Sequence, residues 1–272
     1  MDENSDTRTI IYCFSGTGNS LALARMIAEN LGNTEIKGIV SLENDPVIPG
    51  EYDRIGFAVP TCFSHPPQIV SDICRKLVFD PHQKVFTVVT AGGGSNHALA
   101  DMERILQKGT PNKVQSFEVH LPGNHLVGFG AWPDFVQKRM FASSEKKAVK
   151  IAEMIRSETP TKRPREWPEP ATGKIQAFFN EKMLGVPDIT SHDNYYFTTD
   201  VCSHCGICEK ICPVENIKVA PDCVQFGNNC QECMACIQWC PNRAIGHPNV
   251  PEKRKRYHHP KITLADMLEL NR

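Results

Sequence analysis

Two runs of cysteine constrain this chain more than anything else in it. Cys202-Ser-His-Cys205-Gly-Ile-Cys208-Glu-Lys-Ile-Cys212-Pro213 is the first, and Cys230-Gln-Glu-Cys233-Met-Ala-Cys236-Ile-Gln-Trp-Cys240-Pro241 is the second. Both read C-x2-C-x2-C-x3-C-P, a spacing that wraps a [4Fe-4S] cube corner by corner. The proline after the fourth cysteine turns the chain away, so that cysteine reaches the other cube. The expected ligand sets are therefore crossed: Cys202, Cys205, Cys208 and Cys240 for one cluster, and Cys230, Cys233, Cys236 and Cys212 for the other. The runs form an internal repeat offset by 28 residues, with Ile217 and Ile245 each five residues past the last cysteine. Zinc ribbons space two C-x2-C pairs further apart, and disulfide frameworks do not require tandem Cys-Pro endings.

The chain has 272 residues, room for two ordinary domains, and 12 cysteines. The four outside the runs are Cys13, Cys62, Cys74 and Cys223. Cys13 and Cys74 fall on a strand and a helix face and are expected in the core. Cys223 is expected to pack near a cluster without ligating it, and Cys62 to fill a loop. The start, MDENSDTRTIIYCF, shows no secretory h-region, and no apolar run approaches the length of a bilayer span. A reduced cytoplasm suits free thiols and clusters, so that is the expected location. Net charge is −1, which offers no simple steering argument.

The amino-terminal half alternates. Thr9–Phe14 reads as a buried strand, and Leu21, Ala24, Ile27, Ala28 and Leu31 then recur at helical spacing, with Gly32 as the stop. Further strands are expected at Ile36–Val40, Ile55–Pro60, Val85–Ala91 and Val114–Leu121. Helices are expected at Gln68–Leu77, Asn96–Gln107 and Ser144–Arg156. Such interleaving predicts a parallel sheet covered on both faces. Between the first strand and helix lies Ser15-Gly-Thr-Gly-Asn-Ser20, a small polar loop that points N–H groups at a phosphate. It lacks the Gly-Lys of a Walker A loop, since Asn19 follows Gly18, and the third glycine of a dinucleotide fingerprint, since Leu21 stands there. A phosphatase loop starting at Cys13 would need arginine where Asn19 stands. The S/T-x-T-G-x-S/T form remains, which flavodoxins use to hold the FMN phosphate at the carboxyl ends of their strands. Pro60, Thr61, Cys62 and Phe63 after the third strand, and Ala91, Gly92, Gly93 and Gly94 after the fourth, would flank the flavin ring. Phe63 could stack on it, and consecutive glycines let backbone approach a flat ligand.

Taken together, these motifs resemble flavodoxin–ferredoxin fusion proteins of anaerobic bacteria and archaea, and the similarity covers most of the chain. The closing Arg256-Tyr-His-His-Pro-Lys-Ile-Thr263 also looks like that family's tail. The resemblance implies a flavodoxin-like doubly wound five-stranded parallel sheet of order 2-1-3-4-5 and a small α+β two-cluster ferredoxin domain. It also implies FMN held through Ser15, Thr17, Gly18, Asn19 and Ser20, and a low-potential electron carrier serving redox partner proteins. The 60s loop departs from the pattern, because TCFSHPP lacks the glycine often found there.

The expected domains are 1–158, a linker with a short packing helix at 159–194, the ferredoxin domain at 195–250, and a basic tail at 251–272. Residues 159–172 hold four prolines and mixed charge. Ile175, Phe178, Phe179, Met183 and Leu184 supply the helix stripe. Lys253-Arg-Lys-Arg256 is a solvated run or a docking patch for an acidic partner. No wider basic stripe accompanies it, so nucleic acid is not expected. His204 and His97 read as a loop residue and a helix cap. No paired acid and base is evident, which favours an electron carrier. The rivals are an FMN-dependent reductase of NAD(P)H or a small acceptor, and a delivery subunit whose first domain lacks FMN.

Overall fold

The computed structural model describes residues 7–95, 97–127, 130–162 and 196–271. Five parallel strands, β1 (Thr9–Cys13), β2 (Thr34–Gly38), β3 (Arg54–Pro60), β4 (Lys84–Ala91) and β5 (Gln115–His120), lie in the order β2-β1-β3-β4-β5. This is the order that the resemblance implies. β1 is buried at every position, as a parallel strand covered on both faces must be. Its side chains alternate between faces. Ile11 and Cys13 join Phe86 and Val88 beneath α1 (Asn19–Leu31) and α4 (Asp134–Arg156). Ile10, Tyr12 and Phe14 join Phe57 and Val89 beneath α2 (Gln68–Cys74) and α3 (Ala98–Gln107). Gly56 leaves room between strands: a Cβ there would stand 2.2 Å from the Phe86 ring.

Boundaries shift where packing overrides pattern. β2 begins at Thr34 rather than Ile36, and its alternating burial marks an edge strand. α4 begins ten residues before the expected Ser144, directly after Pro133. Its first turns expose Phe135, which hides the period.

The second part of the chain is small. β6 (Phe197–Thr198) pairs antiparallel with β9 (Ile245–Gly246), and β7 (Ile217–Val219) pairs antiparallel with β8 (Val224–Phe226). Two short helices, α5 (Ile207–Ile211) and α6 (Ala235–Trp239), follow the third cysteines' loops. Ile217 and Ile245, the symmetric pair, are both buried. The two parts share a core: Leu126 and Val127 of the loop after β5 cluster with Met234, Ile237, Ile245 and Val250. The tail is more than a basic extension. It ends in α7 (Leu264–Leu270), whose Thr263 and Asp266 form a capping box and whose Leu270 carbonyl rests on Gly38 of β2. The expected packing helix at 175–184 lies outside the described residues. No described helix is long and apolar enough to cross a membrane.

Candidate functional site

The eight cysteines of the two runs line two separate hollows. Cys202, Cys205, Cys208 and Cys240 line the first. Cys212, Cys230, Cys233 and Cys236 line the second. Each hollow thus takes three cysteines from one run and the fourth from the other, which is the crossed arrangement read from the spacing. The backbone repeats as well. His204, Gly206 and Glu215 have positive φ (50°, 75° and 49°), and so do Glu232, Met234 and Arg243, each 28 residues on (48°, 63° and 53°). Five of these six carry side chains, so each costs roughly 1–2 kcal/mol and persists because the loop geometry demands it. The crossing cysteines are treated alike: Asn216 N–H donates to Cys212 Sγ and Ala244 N–H to Cys240 Sγ, both at 3.3 Å. Donors of this kind tune a cluster's potential. Burial pushes the bare thiols of Cys208 and Cys230 up to about 11 and those of Cys233 and Cys236 well upward. Metal must therefore displace protons when it enters. Cys223 is exposed rather than packed as expected, and Cys13 and Cys74 are buried.

The loop Ser15–Ser20 sits at the carboxyl end of β1, beside β3, where the strand order reverses direction. Gly18 takes φ 87° immediately before α1, and its N–H donates to Ser15 Oγ at 3.0 Å. Ser20 Oγ pairs with Thr90 Oγ1 at 2.9 Å. Asn19 Nδ2 donates to the Pro122 carbonyl at 3.0 Å, and Asn124 Nδ2 donates to Thr17 Oγ1. The N–H groups of Thr17, Asn19 and Ser20 meet no acceptor among the described residues. They are the orphan donors of a helix start, the usual cradle of a phosphate.

Beside this loop, Cys62-Phe63-Ser64-His65 makes a tight turn. Cys62 N–H donates to the His65 carbonyl at 2.7 Å, with the reverse bond at 3.0 Å. Phe63 (φ 46°) and Ser64 (φ 73°) are both left-handed, as a type I′ turn requires. The turn forms without the glycine that its backbone would favour. It holds Phe63 at 45% exposure, edge-on to the His125 ring at 5.0 Å. Thr61 N–H donates to the Thr90 carbonyl at 2.8 Å, while Thr61 Oγ1 is buried with no hydrogen-bond partner among the described residues. Burial, with Glu232 nearby, raises the Cys62 thiol to about 12, so it stays protonated. Pro60, Ala91, Gly92, Gly93 and Gly94 stand at the same edge, and Gly92 lies so close to Gly123 that a Cβ would be 2.9 Å from its Cα. Ser95, which ends the glycine loop, is tied to Glu118 through its N–H at 3.1 Å and its hydroxyl. His97 stands at the N-cap of α3, but its side chain does not cap; it stacks on His65 at 5.2 Å. His65 Nδ1 in turn meets Asp101 Oδ2 at 2.6 Å.

An FMN would find matching partners here. Its phosphate would meet the unpaired N–H groups of Thr17, Asn19 and Ser20, and Thr61 Oγ1 is an orphaned polar atom at the ring's expected place.

The tail closes over the Ser15–Ser20 loop from outside, a contact the sequence pattern does not reveal. Tyr257 OH donates to Asn19 Oδ1 at 2.6 Å and His259 N–H to the Thr17 carbonyl at 2.8 Å, and from α6 Trp239 Nε1–H donates to the Gly16 carbonyl at 3.0 Å. Ile262 lies against Gly18, with a Cβ there 2.9 Å from the Ile262 Cβ. His259 is 2% exposed, and its Nδ1 accepts from Lys261 N–H at 3.2 Å. Burial, helped by Lys261 and opposed by Glu145, lowers its pKa from 6.5 to about 4. The unfolded chain therefore binds a proton that the folded chain refuses between those values, and stability falls as pH drops through that window. Denaturant midpoints at pH 7.5 and 5.5 should reveal a loss of about 1 kcal/mol from this histidine. His259→Gln should reduce that slope, leaving the share of His125, whose pKa burial likewise lowers to about 4; an unchanged slope would remove His259 from the account.

Among known proteins, the family described as 4Fe-4S binding domain matches residues 195–218, which contain the first cysteine run. Three solved structures are similar. One is a short-chain flavodoxin associated with a non-canonical PDU bacterial microcompartment (11% identity, 56% of this chain and 97% of that one, TM-score 0.39). Another is the flavodoxin of Streptococcus pneumonia TIGR4 (12% identity, 56% and 99%, TM-score 0.38). The third is a flavoprotein in complex with FMN from Lactobacillus acidophilus NCFM (13% identity, 42% and 93%, TM-score 0.33). The chain thus joins a parallel sheet of flavodoxin-like strand order, β2-β1-β3-β4-β5, to a cysteine-rich region that is similar to the 4Fe-4S binding domain over residues 195–218.

Proposed function

We propose that this chain is an electron-transfer protein that holds two [4Fe-4S] clusters and one FMN and exchanges electrons with partner redox proteins. The observation that carries the reading is the sorting of eight cysteines into two hollows of three plus one. Cys202, Cys205, Cys208 and Cys240 hold one cluster, and Cys212, Cys230, Cys233 and Cys236 the other. The backbone N–H groups of Thr17, Asn19 and Ser20, with Ser15 and Gly18 shaping the turn, hold the FMN phosphate. Pro60, Thr61, Cys62 and Phe63 flank the ring on one side, and Ala91, Gly92, Gly93 and Gly94 on the other. FMN takes one or two electrons, whereas each cluster takes one, so the pairing links one-electron partners to a two-electron store. The protein's own share is to position these groups, exclude water with the tail, and set potentials through N–H donors to sulfur.

Purification without oxygen, followed by assay of flavin, iron and sulfide per chain, tests the reading. It expects one FMN and about eight iron atoms. Eight iron without flavin would leave a delivery subunit whose first domain serves only for docking. Steady turnover of NAD(P)H with a dye acceptor would move the reading to a reductase.

A further inference from the structure

The two hollows stand differently toward the flavodoxin-like domain. The second is pressed against it. Gly16 of the phosphate loop has no side chain because the Cys233 carbonyl occupies that space; a Cβ on Gly16 would stand 1.9 Å from that oxygen. Cys233 also packs against the apolar clusters on both faces of the sheet, and Val214, another wall residue of the second hollow, packs against one of them. Gln231 Oε1, from the same wall, accepts from the Ile69 N–H of α2 at 3.0 Å. The first hollow is lined wholly by residues between 198 and 245. Its Cys208 and Cys240 pack on the third, smaller apolar cluster, which Cys236 of the second hollow and Leu126 and Val127 of the loop after β5 also join, and not on the two clusters that cover the sheet. Its Cys205 is exposed, and the neighbouring Val201 is 61% exposed.

We propose that the chain orders its redox centres: the cluster of Cys212, Cys230, Cys233 and Cys236 is the inner relay, and electrons crossing between the domains pass through it at the Cys233–Gly16 contact. The cluster of Cys202, Cys205, Cys208 and Cys240 is the outer centre, one step further from the flavin and open to solvent. This order rests on the cluster-and-flavin reading above. Electron tunnelling weakens steeply with distance, and the Gly16 contact puts phosphate loop and cluster wall in van der Waals touch. Cys212, Cys230, Cys233 and Cys236 would hold the inner cluster, which when bound would supply one-electron exchange between a partner redox protein and the flavin.

The test uses the full chain, loaded with clusters and stripped of flavin. Each cluster's EPR signal after dithionite reduction is assigned with Cys205→Ser for the outer centre and Cys230→Ser for the inner. FMN is then added, and the potential of each signal is measured again. The expected result is a shift in the signal altered by Cys230→Ser, with the one altered by Cys205→Ser unmoved. A shift of the outer signal, or equal shifts of both, would overturn the order. Gly16→Ala should move the inner signal even without FMN, because its methyl must displace the Cys233 carbonyl. Gln231→Ala removes the Ile69 contact without added bulk and should move the same signal, which covers a Gly16 variant that does not fold. If FMN fails to bind, the flavin reading falls, and the two substitutions still decide the contact. Movement of the inner signal alone supports it, and movement of the outer signal or of neither overturns it.

Discussion

Cys212→Ala should cost the chain the cluster of the second hollow, although Cys212 belongs to the first cysteine run. Its thiol lines the hollow shared by Cys230, Cys233 and Cys236, and it receives the Asn216 N–H at 3.3 Å. Alanine removes one corner ligand and leaves that N–H facing a methyl. A cube with three thiolates loses at least the iron of the vacated corner, and with a quarter of its ligands gone the whole cluster should go. Iron per chain should then fall from about eight toward about four. The mirror variant, Cys240→Ala, should empty the first hollow. EPR of the reduced proteins distinguishes them, because each variant should retain the signal that the other loses. Retention of the second-hollow cluster in Cys212→Ala, with loss of the first, would sink the crossed assignment.

The sorting of the cysteines into two hollows was legible in sequence because cluster loops encode geometry locally. Three cysteines at x2 spacing and a Cys-Pro exit fix where each sulfur can go, and the structure adds only the left-handed positions that make the loop. The strands were legible because buried parallel strands read as continuous apolar runs, with the Ser15–Ser20 loop marking the first crossover, whereas their order came from the resemblance. Other features depend on distant partners and leave no period. The turn at Cys62–His65 places Phe63 and Ser64 at positive φ, where propensity would ask for Asn or Gly. Asn124 and Thr90 brace the Ser15–Ser20 loop from more than 60 positions away. The tail is the largest omission. Tyr257, His259, Ile262, Met267 and Leu270 are all buried, yet among basic and polar neighbours they fall at irregular intervals. An extended strap followed by a two-turn helix has neither a 2.0 nor a sustained 3.6 residue period to detect.

The tail's weight can be tested by ending the chain at Arg256. Truncation removes the Tyr257 hydroxyl from Asn19, the His259 N–H from the Thr17 carbonyl, and the ring of His258 from Trp239, on which it stacks at 4.3 Å. It also removes the Arg25–Asp266 ion pair, whose surface position makes it worth about 1 kcal/mol at most. The apolar loss dominates. Tyr257, Ile262, Met267 and Leu270 are each under 10% exposed, and burying a side chain of that size stabilises by about 1.5–3 kcal/mol. Four of them make roughly 6–12 kcal/mol, as large as the whole stability of an ordinary domain, about 5–15 kcal/mol. The intact chain should therefore melt in one transition, and the truncated chain in separate, lower ones, with the flavodoxin-like part and the cysteine-rich part melting apart. Tyr257→Phe is the fine control. It keeps the ring and deletes only the bond to Asn19, so it should cost about 1 kcal/mol. A truncated protein with an unchanged transition would mean that α7 and the strap merely lie on the surface. The burial of Met267 at 0% and the seat of Leu270 against Gly38 argue the reverse, because the edge strand β2 would then lose its only tail-side cover among the described residues.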